Sequence, residues 1–185
     1  PPSVSGMIKR LSEQGLLEHV PYKGVVLTAA GRRLALRMVR RHRIIETYLV
    51  AFLGYSWDTV HDEAERLEHA ISDVLAERMA AALGNPAFDP HGDPIPTAEG
   101  DVPEVAGIPL VDLPVDLEAE IRRVNAREPE RLRYLAELGL TPGATVTVIN
   151  RQPFNGPITV RGTDGLRVLG AEIARDIVCV GAPTG

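Results

Sequence analysis

The sequence predicts a mainly α-helical protein that carries a small β domain towards its C-terminal end. Apolar residues recur at helical spacing through much of residues 4–84, and from about residue 115 short alternating runs with glycine turns predict strands instead. Residues 85–114 separate the two patterns and are dense in proline, glycine and aspartate, which is typical of an extended linker at a domain boundary.

The composition is that of a folded protein with an uneven distribution of charge. Hydrophobic residues make up 44% of the chain and charged residues 24%, which excludes the disordered class. Residues 1–45 contain nine Lys or Arg against two Glu, whereas residues 46–100 contain two Arg against eleven acidic residues. This order favours a part that binds a polyanion joined to a part that binds cations.

The apolar segments and the cysteine content of the sequence indicate the cellular compartment and the cysteine chemistry. No stretch approaches the roughly 20 apolar residues that cross a bilayer, and the first residues have no signal-peptide core, so we expect a cytoplasmic protein with no membrane partner. Cys179 is the single cysteine, which excludes a disulfide framework and a cysteine-based zinc site. Its apolar neighbours, DIVCV, predict a buried side chain.

The N-terminal part has the pattern of a winged helix. Helical spacing over residues 4–17 predicts a short helix with basic residues on one face. Residues 19–22 and 25–28 are β-prone and flank Lys23 and Gly24, which predicts a hairpin with a basic tip. Helix, hairpin and helix in this order describe part of a winged helix-turn-helix.

Three further helices are predicted before the linker. Thr28 is a suitable N-cap for a long amphipathic helix that Gly54 ends. Ser56 is expected to cap a second helix from residue 57, and Ser72 marks a break before a third, which stops at Gly84.

Beyond the linker the pattern predicts a small β-barrel. Strands are expected for VDLEAEIRRVN, ATVTVINR, GPITVRG, GLRVLG and DIVCV, with one short helix in ERLRYLAELGL. Short strands with glycine turns at this spacing favour a barrel of roughly 70 residues. The predicted division is a partial winged helix over residues 1–31, a helical domain over 32–96, a linker over 97–114 and a β domain over 115–185.

Imidazole and carboxylate side chains cluster on one face of each of two predicted helices. They are His42 and Glu46 on the earlier helix, and His61, Glu65, Glu68 and His69 on the later one. At about 100° per residue the last four fall within an arc of about 100°. One such residue alone more often belongs to a solvated surface, but a group of six would repel itself or stay underpaired without a cation. The pattern therefore predicts a metal site.

The ligand types restrict the metal only in part. Carboxylate and imidazole ligands without thiolate suit hard divalent ions such as manganese or iron(II). Imidazole also binds zinc, cobalt and nickel, so selectivity would have to come from coordination number and geometry.

The run RRHRIIETYLVAFLGYSWDTVHDEAERLEHAISD resembles the metal-binding and dimerisation segment of the diphtheria toxin repressor family, which includes iron-dependent and manganese-dependent regulators. PPSVSGMIKRLSEQGLLEHV is similar to its recognition helix, YKGVVLTAAGR to its wing, and LRYLAELGLTPGATVTV to its C-terminal SH3-like domain. The resemblance covers nearly the whole chain. It implies a metal-dependent repressor of metal-homeostasis genes that binds operator DNA as a homodimer.

The resemblance implies that all six clustered side chains bind metal. Glu65 is informative, because iron-type members tend to have cysteine there and manganese-type members glutamate. The sequence is therefore similar to the manganese branch, with Mn²⁺ as the expected ion and Fe²⁺ as the alternative.

Two departures from the family pattern concern further ligands. The family's first helix supplies one ligand and precedes the recognition helix, in which this chain begins, so we expect an incomplete winged helix. Arg123 and Ala126 stand where iron-type members have two ligands from the SH3-like domain. Either that domain provides no ligand, or a neighbour such as Glu120 or Glu128 does.

The resemblance also implies a DNA-binding surface. Residues at the start of the recognition helix are expected to face base edges, and basic residues to lie near phosphates. The first group is Pro2, Ser3, Ser5 and Gly6, and the second is Lys9, Arg10 and Lys23.

The main alternative is an enzyme with a dinuclear carboxylate–histidine centre in a helical bundle. Such centres usually carry Glu and His at i and i+3 on long helices, whereas Glu65 and His69 are at i and i+4. A zinc peptidase is disfavoured because the HExxH order is absent. The β domain could also bind proline-rich peptides, although Tyr134 and Phe154 are its only aromatic residues. We therefore expect no catalytic residues.

Overall fold

The computed structural model describes residues 4–20, 22 and 24–181. Within this part the helices are α1 (Val4–Glu13), α2 (Ala29–Leu53), α3 (Val60–Glu68), α4 (Asp73–Ala82), α5 (Pro129–Glu137) and α6 (Ala171–Asp176). The strands are β1 (Leu17–Val20), β2 (Gly24–Leu27), β3 (Ile108–Pro109), β4 (Glu118–Val124), β5 (Thr145–Arg151), β6 (Ile158–Gly162), β7 (Gly165–Leu169) and β8 (Ile177–Gly181).

The helix–hairpin–helix order predicted for the N-terminal part is confirmed. β1 and β2 pair antiparallel, with Leu17 opposite Leu27, so both strands begin slightly earlier than predicted. The Thr28 hydroxyl donates to the Gly15 carbonyl at 2.7 Å and accepts from the Gly31 amide at 3.0 Å. One side chain thus joins the turn after α1 to the first turn of α2.

The long helix α2 has the limits that the sequence predicts. Thr28 caps its first turn, and Gly54, at φ 71°, ends it by donating its amide to the Leu49 carbonyl. Ile44, Ile45 and Leu49 are buried on this helix together with the carboxylate of Glu46. A buried carboxylate within an apolar face indicates that this face contacts polar groups elsewhere.

The second predicted helix begins three residues later than expected, at Val60. The Ser56 and Thr59 hydroxyls lie 2.7 Å apart, and the Ser56 carbonyl accepts the amides of Thr59 and Val60. These bonds hold residues 56–59 in a turn. Trp57 lies in this turn and packs against the core of the β domain. The predicted helix from residue 57 did not indicate this contact.

The six strands within residues 108–181 form one antiparallel sheet in the order β3-β8-β4-β5-β6-β7. Its core contains fully buried side chains from strands and from α5, among them Ile121, Leu135 and Val148. The predicted barrel is wrong in one respect, because the sheet is open. Among the described strands β3 pairs only with β8, and β7 pairs only with β6. β3 and β7 are therefore the two edges of the sheet. Cys179 is fully buried, as predicted.

Several elements of the β domain are too short for the sequence pattern to reveal. β3, a 3-10 helix at Leu110–Asp112 and α6 carry at most six residues each. Such lengths are shorter than the window in which hydrophobic periodicity is readable. β3 and the 3-10 helix lie within the segment predicted as linker.

The first half of the proline-rich segment is not extended. Residues 88–96 fold into a tight loop in which the Asp89 amide donates to the Asp93 carbonyl and the Gly92 amide to the Asp89 carbonyl. Ile95 is buried against Ile44 of α2. The loop is therefore packed between the helices and the sheet, and its polar residues are held in fixed positions.

None of the helices in the described part of the chain is long and apolar enough to span a membrane.

Gly92 is expected to be essential to this packing. It has φ 82°, and a Cβ added there would lie 2.0 Å from the Arg122 carbonyl oxygen of β4. Gly143 has a similar φ of 89° with open space around it, so Gly143→Ala is a matched control. Both variants should lose about 1 kcal/mol for the left-handed backbone, and Gly92→Ala should lose about 1–3 kcal/mol more for the clash. Urea unfolding followed by Trp57 fluorescence measures the difference, and equal midpoints would contradict it.

Candidate metal centre

The candidate centre lies between α2 and α3, which pack antiparallel. Ile45 and Leu49 of α2 and Val60 and Ala64 of α3 form a buried apolar cluster. Side chains that flank this cluster on both helices face the same groove, because positions three or four apart share one helical face. The predicted histidines and glutamates occupy these flanking positions.

Three of the predicted ligands present their N and O atoms to one another. His42 Nε2 lies 3.0 Å from Glu46 Oε1 and 3.1 Å from His61 Nδ1, and His61 Nδ1 lies 3.0 Å from Glu46 Oε1. Two ligand atoms about 2.1 Å from a cation and at right angles to each other are about 3.0 Å apart. The spacing of the three atoms therefore fits one face of an octahedral coordination sphere.

The other three predicted ligands are placed less closely. Glu68 Oε2 lies 2.8 Å from His42 Nδ1, so Glu68 extends the cluster on the opposite side of that imidazole. Glu65 is exposed and lines the same cavity. His69 directly follows α3, has a side chain that is 71% exposed, and contacts the cluster only through Glu68 Oε1 at 3.3 Å.

A second group of ligand atoms was not predicted from the sequence. Glu46, Asp89 and His91 are all buried and place ligand atoms within 4.8 Å of one another. His91 Nε2 lies 2.7 Å from the Trp57 carbonyl oxygen. Since a carbonyl can only accept, Nε2 is the donor, and in the neutral imidazole Nδ1 would then have its lone pair free for a metal ion. The signal was present in DPHGD, but the proline and glycine there favoured a linker.

The two groups share a cavity of about 450 Å³. The helices form one wall, and the end of β4 with the residues after it forms another, including Arg123, Asn125 and Ala126. In the described part of the chain neither Glu120 nor Glu128 lines the cavity, and each pairs with an arginine of its own domain. The β domain thus presents an arginine to the cavity and not a carboxylate.

The pKa shifts in the cluster arise from burial and from contacts between imidazoles and carboxylates. Burial alone would lower the pKa of His42, but its hydrogen bonds and charge interactions with Glu46 and Glu68 outweigh burial and raise that pKa above its ordinary value. Burial would raise the pKa of Glu46, and its contacts with His42 and His61 lower it instead. Burial, reinforced by the charge of Asp93, raises the pKa of Asp89 to about 6. A divalent cation would supply the charge that these carboxylates lack.

Three family models match successive parts of the chain. Residues 1–25 match the iron dependent repressor N-terminal DNA binding domain, residues 28–97 the iron dependent repressor metal binding and dimerisation domain, and residues 108–180 the FeoA domain.

Relatives with known names agree with these matches. The chain is 33% identical over 162 residues to the diphtheria toxin repressor of Corynebacterium glutamicum, covering 82% of this chain and 71% of that protein. It is 33% identical over 159 residues to the iron-dependent repressor IdeR of Mycobacterium tuberculosis, covering 80% and 69%.

Solved structures share the whole fold. One described as a manganese-dependent transcriptional repressor in complex with manganese is 45% identical, with a TM-score of 0.85 over 96% of this chain and 83% of that one. The manganese regulator SloR is 30% identical, with a TM-score of 0.77 over 98% and 84%.

Fold, cavity and matches together define a metal-dependent, DNA-binding transcriptional repressor. The chain belongs to the iron-dependent repressor family, the family of the diphtheria toxin repressor. The resemblance stated from the sequence is confirmed. The family consists of transcriptional regulators, so the dinuclear enzyme considered above receives no support.

Proposed function

We propose that this chain is a manganese-responsive repressor whose cavity between α2, α3 and the loop at residues 88–96 binds divalent cations. The observation that carries the proposal is the set of three contacts of 3.0–3.1 Å among His42, Glu46 and His61. Glu65, Glu68 and His69, predicted from the sequence, and Asp89 and His91, found in the structure, complete the proposed ligand set.

The donor set supports manganese, with iron(II) as the alternative. The side chains in the proposed ligand set are all carboxylates or imidazoles, and the single cysteine is buried in the β domain. Hard oxygen ligands suit Mn²⁺ better than soft metals. The similar protein of 45% identity is described as a manganese-dependent repressor, which agrees with this choice.

The helix α2 connects the proposed metal centre to the proposed DNA-binding part. A bound cation would supply charge neutralisation and a bridge between α2 and α3. The residues of the chain provide the rest, since α2 runs without a break from the Thr28 cap to His42, a distance of about 20 Å. The cap also bonds to the turn after α1, so α1 and the centre are joined through one rigid element.

We propose that α1 is the DNA-recognition helix of a homodimer, with the wing beside it. The helix has no buried residue, and the side chain of Lys9 is 78% exposed. Ser5 and Gly6 are proposed to face bases, and Lys9 and Arg10 phosphates. Pro2, Ser3 and Lys23, predicted for the same roles, lie outside the described residues.

The remaining parts of the proposal follow the sequence analysis. The match of residues 28–97 to a dimerisation domain supports a homodimer that binds double-stranded operator DNA of metal-homeostasis genes. We also propose a cytoplasmic protein and the four-part division at residues 1–31, 32–96, 97–114 and 115–185.

Glu46→Gln should weaken manganese binding by at least about tenfold, because it removes the charge shared by both groups of ligands while keeping the shape of the side chain. Glu63→Gln on α3 is the matched control, since Glu63 pairs with Arg66 and does not line the cavity. Isothermal titration with Mn²⁺ measures both variants. An unchanged Kd and stoichiometry in Glu46→Gln would rule out this centre.

Glu65→Ala combined with His69→Ala should abolish metal-dependent operator binding by the full-length repressor while the dimer stays folded. Both residues belong to the proposed ligand set but are exposed, so the fold does not depend on them. Gel shifts with and without Mn²⁺, together with light scattering, measure the two effects. The double variant Glu63→Ala and Arg66→Ala is the control, and retained metal dependence in the first variant would refute these two ligands.

Lys9→Ala combined with Arg10→Ala should weaken binding to operator and random DNA to a similar extent. If each residue neutralises one phosphate, the two protomers of the dimer together lose four contacts, and the slope of log affinity against log salt should fall by about four. Arg161→Ala, an exposed residue of β6, should leave the slope unchanged. A loss of operator binding alone, at an unchanged slope, would show that the two residues read bases instead.

A further inference from the structure

Asp93 lies between arginines from two different parts of the chain. Arg123 of β4 places Nη2 2.6 Å from Asp93 Oδ1, and Arg43 of α2 places Nη2 3.7 Å from Asp93 Oδ2. Arg43 also reaches Asp89 Oδ2 at 3.6 Å. The Asp93 side chain is 19% exposed and that of Arg123 33%. One carboxylate therefore joins α2, the loop at residues 88–96 and the β domain.

Among the described residues Arg123 forms its ion pair with Asp93 alone, whereas Asp93 has a second, longer contact with Arg43. Asp93 Oδ1 has Arg123 Nη2 at 2.6 Å, and Arg123 Nε is buried with no hydrogen-bond partner among the described residues. Loss of the Asp93 charge would leave the half-buried Arg123 without a counter-charge, which is more costly than the loss of a fully exposed ion pair. The pair therefore favours the arrangement in which β4 stays against the loop.

Other contacts converge on the same place. The Val124 amide donates to the His91 carbonyl at 2.9 Å, which is a backbone hydrogen bond between β4 and the loop. Trp57 stacks on His91 with ring centroids 5.5 Å apart and packs against the β-domain core. Arg133 of α5 pairs with Asp58 at 3.1 Å. Each of these contacts is made by the chain alone.

We propose that Arg123 is a positioning residue that docks the β domain on the helical part through Asp93, so that docking does not require a metal ion. The wall of the cavity formed by β4 is then in place before any cation binds. This goes beyond the proposed function and does not depend on it, because the ion pair and the hydrogen bond at Val124 involve protein groups only.

Hydrogen exchange of the Val124 amide in the chelator-treated protein tests the proposal, since exchange reports the fraction of molecules in which the hydrogen bond to His91 is open. Arg123→Gln should raise the exchange rate of this amide about three- to tenfold. Arg123→Lys should restore most of the protection. Arg161→Gln removes the same charge at an exposed position of the same domain and should have no effect.

A double-mutant cycle separates the ion pair from independent effects. Asp93→Asn should raise the exchange rate at Val124 at least as much as Arg123→Gln, because it also removes the contact with Arg43. The double variant should exchange no faster than Asp93→Asn alone, because Arg123→Gln removes nothing further once Asp93 is neutral. The amide of Val160 in β6 should stay protected throughout, which shows that the β domain remains folded. If Arg123→Gln also raises the exchange rate of the Val160 amide, the β domain of that variant has unfolded. Asp93→Asn then tests the same ion pair with the β domain unchanged.

Two results would overturn the proposal. The first is an Arg123→Gln variant that exchanges at the rate of Arg161→Gln. The second is chelator-treated wild-type protein in which Val124 exchanges freely and is protected only after Mn²⁺ is added, because docking would then depend on the metal. Failure of Mn²⁺ to bind at all would contradict the proposed function and leave the exchange results in chelator unaffected.

Discussion

A carboxylate buried in the middle of α2 is the constraint on which the rest of the structure depends. Glu46 is 3% exposed, and a charge removed from water in this way is unfavourable unless other groups neutralise it. Its neighbours come from three places: His42 one turn earlier on the same helix, His61 on α3, and the Asp89–His91 group in the following loop. The packing of α3 and of this loop against α2 therefore depends on these polar contacts as well as on apolar burial. The same contacts therefore hold the elements together and assemble the proposed metal site.

The loop at residues 88–96 turns this local requirement into an arrangement of domains. His91 faces the cavity with one ring nitrogen and bonds to the Trp57 carbonyl with the other, while Trp57 packs on the β-domain core. Gly92 allows the backbone of β4 to approach closely, and Asp93 forms an ion pair with Arg123. Three neighbouring residues of one loop thus contact the cavity, the turn before α3 and the β domain. The cavity is therefore connected to the β domain by a short series of packed contacts.

Charge is distributed along the chain in the order that its proposed tasks require. Lys9 and Arg10 lie on the exposed helix α1, and several of the acidic residues that follow line the cavity. α2 belongs to both regions, because its first half carries arginines and its second half carries Glu46. Several of these arginines pair with α4, as Arg40 does with Glu77 at 2.7 Å, so they contribute to the packing of the helices. Net charge by itself would not have distinguished these roles.

The sequence by itself determined the class of protein, the limits of α2, the strands of the β domain and the two helical faces that carry His42, Glu46, His61 and Glu68. These features are periodic or local, so spacing and capping residues reveal them. Only the tertiary structure decided that Asp89 and His91 join Glu46, that helix α3 begins at Val60, and that the sheet stays open. The group around Glu46 and the open sheet depend on contacts between residues far apart in the chain, whereas the start of α3 depends on the local hydrogen bonds of Ser56. A proline-rich loop has no periodicity from which its partners could be inferred. The arginine at the cavity wall was visible as a departure from a family pattern, but its partner, Asp93, became apparent only when β4 and the loop were placed side by side.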